Sequence, residues 1–262
     1  MNGEFIQDRW IVEMLRDIAR SRDITFESWS DDWIIELRKA TEIHRVIGYR
    51  FDANDSVASN ISQDKVATYT LLAAHSIPAV EHRLVRTKVS ATNMQDLQSW
   101  DGVVIKPLVG TSGHGVRKFQ DMSSAVAYVN QSLIQAWAAA PYIAIATETR
   151  IVLLDGQPLL AYEKQPVQID DLKMFNLGLG GTAVDIEPDT ATLQLARSAQ
   201  HALGLRLCAV DIIETAEGER MVLEVNDAVM VEHYARQSES NKRVARRVYE
   251  KIVDQLFRKP EL

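Results

Sequence analysis

A chain of 262 residues with 46% hydrophobic and 25% charged side chains can bury at least one sizeable core. Its formal net charge of −7 argues against nucleic acid as a partner, because a phosphate backbone is held by clustered Lys and Arg. A single cysteine, Cys208, excludes an internal disulfide; no run approaches the roughly 20 apolar residues that span a bilayer, and no basic-then-apolar leader opens the chain, so a soluble, unprocessed, cytoplasmic protein without membrane contact is expected.

Ile6, Trp10, Met14 and Ile18 form one stripe at helical period, and Arg20 to Asp23 is the polar break after it, which predicts an amphipathic first helix. Phe26, Trp29, Trp33, Tyr49 and Phe51 mark an aromatic region of short strands and turns. Gln63 to His75 reads as a helix that leaves through Ser76-Ile77-Pro78, since the residue before a proline avoids the helical region. Val103 to Lys106 and Val116 to Phe119 read as strands around a glycine-rich loop, and Ser123 to Trp137 as a helix. Tyr142 to Thr147, Arg150 to Leu154 and Leu159 to Lys164 read as consecutive strands, with Asp155-Gly156 a type I′ hairpin signal. Thr192 to Leu203 predicts a further helix, Val210 to Glu214 and Met221 to Val225 a second hairpin around Glu217-Gly218, and Asn241 to Phe257 a closing helix.

Four groups of residues carry chemistry. Lys106 stands at a strand end before Gly110, Thr111, Ser112, Gly113, His114 and Gly115. Such a loop can cradle phosphate, because glycines let backbone N–H groups approach an anion and lysine adds a point charge; a plain surface hairpin is the alternative. Neither a Walker loop nor a dinucleotide-binding glycine fingerprint is present, so another scaffold must hold the phosphate. Asp211 falls on one strand of a hairpin and Glu224 and Asn226 on its partner, where alternation puts the latter two on one face. Hard oxygen ligands in that arrangement suit magnesium, and the apolar neighbours make an unpaired, merely decorative charge costly; a solvent-facing polar strand is the alternative. Arg150 offers a planar fork to phosphate or carboxylate oxygens, or simply pairs with Glu148. The run Asn176 to Gly181 is either a loop closely approached by ligand or a flexible linker. Lys65, alone, reads as a solvated lysine.

In this order the pieces resemble the ATP-grasp superfamily, in the branch of D-alanine-D-alanine ligase, glutathione synthetase and RimK-like amino-acid ligases. The resemblance runs from Gln63 to Leu256 and rests on Asp64-Lys65 with Ile77-Pro78, Ile105-Lys106-Pro107 with the glycine loop, Glu148-Thr149-Arg150, Asn176 with Gly180-Gly181, and Asp211 with Glu224-Val225-Asn226. It implies an α+β ATP-grasp fold in which two α/β lobes clasp ATP: an N-terminal region over 1–62, a central lobe over 63–138 and a C-terminal lobe over 139–262. It further implies Lys65, Lys106 and the 110–115 loop on the phosphates, two magnesium ions on Asp211, Glu224 and Asn226, and Arg150 and Asn176 steadying the transferring phosphoryl group. The adenine hinge is placed between Ala139 and Glu148, with Tyr142, Ile143 and Glu148 as nucleotide contacts.

The implied activity joins a carboxylate to an amine through an acyl phosphate, releasing ADP and phosphate, on amino-acid or small-peptide substrates. A small-molecule kinase and a nucleotide-binding regulatory subunit are the competing readings. The stretch Asp227-Ala228-Val229-Met230 departs from the Pro-Gly turn of many relatives, and the segment before Lys65 is short for their N-terminal domain. Acceptor recognition is expected to differ accordingly, with the site open or completed by another subunit; a homodimer would bury the aromatic N-terminal region. His114 and His233 are candidate substrate contacts, Glu232, His233 and Tyr234 candidate pocket walls, and Arg236 a candidate carboxylate partner.

Overall fold

The computed structural model describes residues 8–86, 100–110, 115–169 and 172–258. Helix α1 (Trp10–Ser21) buries Ile11, Met14, Leu15 and Ile18 on one side, as the apolar stripe predicts; Ile6 lies outside the described residues. The aromatic region folds into a four-stranded antiparallel meander, β1 (Thr25–Trp29), β2 (Ile34–Lys39), β3 (Glu42–Ile47) and β4 (Arg50–Phe51). Two helices follow, α2 (Ser56–Gln63) and α3 (Lys65–Ala74). Each is capped by an aspartate, Asp55 and Asp64, whose side chains accept from the N–H groups of the first turn. The Asp64 cap separates the two helices and places Lys65 at the first position of α3. Only α3 was expected from the periodicity; the short α2 is legible through Asp55.

Strands β5 (Arg83–Arg86), β6 (Val103–Pro107) and β7 (Arg117–Phe119), helix α4 (Met122–Gln131) and strand β8 (Ala136–Pro141) make the smaller lobe, with sheet order β5-β8-β6-β7. Its own core joins Val103, Ile105, Val126, Val129 and Trp137. The expected helix from Ser123 to Trp137 is therefore too long. Its last two residues, Ala136 and Trp137, open β8 instead, because pairing with both β5 and β6 outweighs a local helix preference.

The larger sheet has the order β13-β10-β9-β14-β15, built from β9 (Ile145–Leu154), β10 (Gln157–Gln165), β13 (Thr182–Asp185), β14 (Leu207–Thr215) and β15 (Arg220–Asn226). Between β10 and β13 lie the small hairpin β11 (Val167–Ile169) and β12 (Leu172–Met174). The two strands expected over 142–154 are one, since Glu148 and Thr149 continue the ladders to β10 and β14 without a break. Asp155 and Gly156 both have positive φ, 48° and 77°, as a type I′ turn requires.

Helix α5 (Thr190–Ala202), with α2 and α3, covers one face of this sheet through Ile151, Leu153, Cys208, Val210 and Ile212. The N-terminal meander, α1, α6 (Glu232–Ala235) and α7 (Glu239–Leu256) cover half of the other through Val152, Leu154, Leu160, Tyr162, Leu207 and Ala209. The smaller sheet faces the remaining half. The chain crosses between sheets at Pro78 to His82: Val80 N–H donates to Val222 O and Val222 N–H to Pro78 O, both 2.9 Å, before β5 begins.

Candidate active site

The cleft between the two sheets is charged. On β9 and β14, Arg150 and Asp211 are register partners, and the guanidinium grips the carboxylate with both prongs, Nε to Oδ1 at 2.8 Å and Nη2 to Oδ2 at 2.6 Å. Lys164 on β10 reaches Asp211 Oδ1 at 2.9 Å and also bonds Glu148, its register partner on β9. On the neighbouring pair Asp211 faces Glu224, and Asn226 Nδ2 lies 3.4 Å from Asp211 Oδ2. Lys106 from the smaller sheet spans the cleft to Glu224 Oε1 at 3.1 Å, and Lys65 Nζ donates to the Gly110 carbonyl at 3.0 Å.

The electrostatics follow from this packing. Burial opposes ionisation of Glu224, yet Lys106 and Lys65 outweigh it and hold the carboxyl near 2. Burial likewise opposes the charge on Asp211, and Arg150 and Lys164 overcome it. Glu148 goes the other way: burial raises its pKa, Lys164 opposes, and the nearby Asp211 charge adds to the rise. Burial and the neighbouring Lys106 lower the pKa of Lys65. Three carboxylates thus stand among four cations (Arg150, Lys164, Lys106 and Lys65), an excess of positive charge suited to a polyphosphate.

The sequence-predicted residues fall into groups. Arg150, Asp211, Glu224, Asn226, Lys106, Lys65 and Gly110 come together at the cleft. Glu148, expected at the hinge, stands inside the ion lattice. Ile143 packs on an apolar patch that bridges the sheets, formed by Val80, Ala140, Ile213, Ile145, Met221 and Leu223. Tyr142 lies at the edge of the smaller sheet, its ring 3.4 Å from Lys118 Nζ, in a cation–π contact. Gly115 has φ +75°, and a Cβ there would meet Pro107 at 3.1 Å, so glycine is required where the loop rejoins β7. Thr111, Ser112, Gly113 and His114 lie outside the described residues. Asn176 Oδ1 accepts from Gly178 N–H at 2.8 Å and so caps its own loop. A Cβ on Gly181 would lie 2.8 Å from the carbonyl oxygens of Asn176 and Gln165, and one on Gly178 would lie 3.0 Å from His233 Nε2.

Sequence reading missed two residues, Lys164 and His82. Lys164 alternates with the buried Tyr162 on a strand, a signal for a lysine with a buried partner; His82 carried no local signal. Glu232 and Tyr234 are structural rather than pocket walls. Glu232 accepts from Trp10 N–H and Tyr49 OH and pairs with Arg236, which thereby finds its carboxylate within the chain; Tyr234 OH donates to Asp185. Cys208 is fully buried, and burial drives its thiol pKa up.

Among the described residues no cluster of three or more His, Cys, Asp or Glu stands ready to hold a metal. Asp211, Glu224 and Asn226 offer two carboxylates and an amide oxygen, which fits magnesium, an ion that completes its shell with water and substrate phosphates. Of the two carboxylates Glu224 is the more accessible, its side chain 30% exposed against 3% for Asp211.

This architecture is shared with ligases of known structure. The D-alanine–D-alanine ligase from Bacillus anthracis superposes with a TM-score of 0.60 at 16% identity, covering 78% of this chain and 70% of that one. The bifunctional glutathione synthetase from Pasteurella multocida gives 0.64 at 17% identity, covering 98% of this chain and 44% of that one. Residues 62–252 match the RimK-like ATP-grasp domain, and the chain belongs to that family. Among curated relatives, a probable alpha-L-glutamate ligase of Legionella pneumophila is 27% identical over 185 residues, 68% of this chain; the chain spans 59% of that relative's length. No described helix is long and apolar enough to cross a membrane.

Proposed function

We propose that the chain is an ATP-dependent carboxylate–amine ligase forming an amide through an acyl phosphate. The observation that carries this reading is the lattice in which Lys106 spans the cleft to Glu224 while Arg150 and Lys164 clamp Asp211. It provides preorganised positive charge where a phosphoryl group would pass between two oxygens, and such fixed electrostatics are the main requirement of phosphoryl transfer.

The nucleotide base lies against the apolar patch of Val80, Ala140 and Ile213, with Ile143 beside it and Tyr142 at its rim. Its phosphates run toward Lys106 and Lys65, which exchange Glu224 and the Gly110 carbonyl for phosphate oxygens. Gly110 and Gly115, the described ends of the glycine loop, flank them, where exclusion of water would protect the acyl phosphate. Asp211, Glu224 and Asn226 would hold two magnesium ions, which would neutralise phosphate charge. Arg150 steadies the transferring group, and Asn176 anchors the loop that closes the far side. The substrate carboxylate attacks the γ-phosphate in line, breaking its bond to the bridging oxygen and releasing ADP; the amine then displaces phosphate from the activated carbonyl and loses a proton. The smaller lobe is best drawn over residues 83–141 rather than 63–138, because α3 packs on the larger sheet and β8 runs to Pro141. Amino acids or small peptides are the substrate class, glutamate first among them in view of the Legionella relative's name.

The test is phosphate release from magnesium-ATP across amino acids offered singly and in pairs, comparing wild type with Glu224→Gln. Release that needs a carboxylate and an amine together, and vanishes in the variant, supports the ligase. Formation of ADP without free phosphate on one substrate alone would point to a kinase, and tight binding of nucleotide without turnover on any pair to a regulatory role.

A further inference from the structure

His82 sits where the chain leaves the edge of β15 for β5, and it is 3% exposed. Its Nδ1 lies 2.8 Å from the Val80 carbonyl oxygen. A carbonyl only accepts, so Nδ1 carries the proton, and in the neutral ring Nε2 presents a lone pair. That Nε2 is buried and has no hydrogen-bond partner among the described residues. Buried acceptors are rarely left so, and one that is calls for a partner the structure does not yet hold.

Pairing of β5 with β8 puts Arg83 opposite Ala139 and Leu84 opposite Ala138, while Ala138 is also the partner of Lys106. Alternation carried back one residue turns His82 to the same side as Leu84 and Lys106, beside Ala140. Burial, and then the charge of Lys106, press the imidazole pKa down to about 3, with Lys65 adding to this and Glu224 opposing it. The ring is therefore a neutral acceptor next to an ammonium group that has three N–H donors.

We infer that Nε2 of His82 takes one N–H of Lys106 when a nucleotide fills the cleft and Glu224 is no longer the partner of that lysine, aiming the other two N–H groups at phosphate oxygens. His82 is then a positioning residue acting through Lys106. The inference rests on the nucleotide reading given above.

Two substitutions separate this role from simple capping of Val80. His82→Asn keeps an amide N–H near Nδ1 and removes the distal acceptor, whereas His82→Gln puts a carbonyl oxygen near Nε2 and gives up the cap. Affinities for magnesium-ATP and magnesium tripolyphosphate, measured by calorimetry, are expected to fall about tenfold for both ligands in His82→Asn and to stay within about threefold in His82→Gln, the range for one hydrogen bond to a charged group. In the wild type, the 15N resonance of His82 Nε2 is expected to shift on adding either ligand. Wild-type affinity in His82→Asn, or a loss for ATP but not tripolyphosphate, overturns the inference, the second outcome assigning the acceptor to the base. If His82→Asn fails to fold, the wild-type resonance decides: one that does not move overturns it. A wild type that binds neither ligand instead overturns the nucleotide reading, and this inference with it.

Discussion

Arg150 and Val152 are neighbours on the same face of β9, yet they live in different media. Val152 is packed among Leu160, Tyr162 and Ala209 under the C-terminal helices, whereas Arg150 is locked to Asp211 beside Lys164 and Glu148. The backbone ladder is continuous through both halves, so pairing geometry cannot account for the change. What differs is the cover: helices close over the apolar half, and a second sheet carrying Lys106 stands opposite the charged half. Around Asp211, Lys164 and Glu148 the charged half is nearly as dry as the core, and there a paired charge adds little net stability while an orphaned one is expensive. Such a lattice is better explained by a ligand it must receive than by the fold it supports.

The largest effect should come from breaking that lattice. Arg150→Met leaves Asp211 short of its main partner and should destabilise the protein by about 3–5 kcal/mol in urea unfolding. Adding Asp211→Leu removes the orphan and should recover most of the loss, with Lys164 and Glu148 still paired, while phosphate release remains abolished. A double variant no more stable than the single one would mean that the lattice holds up the fold.

A smaller effect is expected from acid. The Glu224 carboxyl is depressed from an ordinary 4.5 to about 2 in the folded protein. Its contribution is therefore fully present above 4.5 and is lost as pH falls through 2. The stability gap between wild type and Glu224→Gln should shrink by up to about 3 kcal/mol across that window. A gap that does not change with pH would show that Lys106 and Lys65 do not hold the carboxylate in solution.

Gly181→Ala probes the loop at the rim of the charged half, where the added methyl would meet two carbonyl oxygens at 2.8 Å. About 1–3 kcal/mol of destabilisation is expected, with a drop in turnover from displacement of Asn176. Ile151→Val, next to Arg150 but on the helix-covered face, should cost only about 0.5–1.5 kcal/mol and leave nucleotide affinity unchanged. A loss of affinity there would mean that the two faces of the sheet are not independent.

Much of this molecule is legible without coordinates where the controlling interactions are local. The Asp155-Gly156 turn and the shared face of Glu224 and Asn226 each depend on a few adjacent residues. The helix expected from Ser123 to Trp137 overran for a physical reason: Ala136 and Trp137 belong to β8, whose pairing with β5 and β6 no local pattern shows. Lys164 and His82 escaped notice because what makes each of them unusual is a partner on another element.

By itself the sequence determined which side chains carry charge and apolar bulk, and how short stretches of backbone turn, since sterics, capping and alternation act over a few residues. Only the tertiary structure decided who meets whom. The order β10-β9-β14-β15 sets Arg150, Asp211 and Glu224 in one row with Lys164 and Glu148 paired in the neighbouring one, and the crossing at Pro78 to His82 brings an imidazole beside Lys106. Those meetings join residues far apart in the chain, and they arise from how two sheets pack over a shared cleft, which no local pattern encodes.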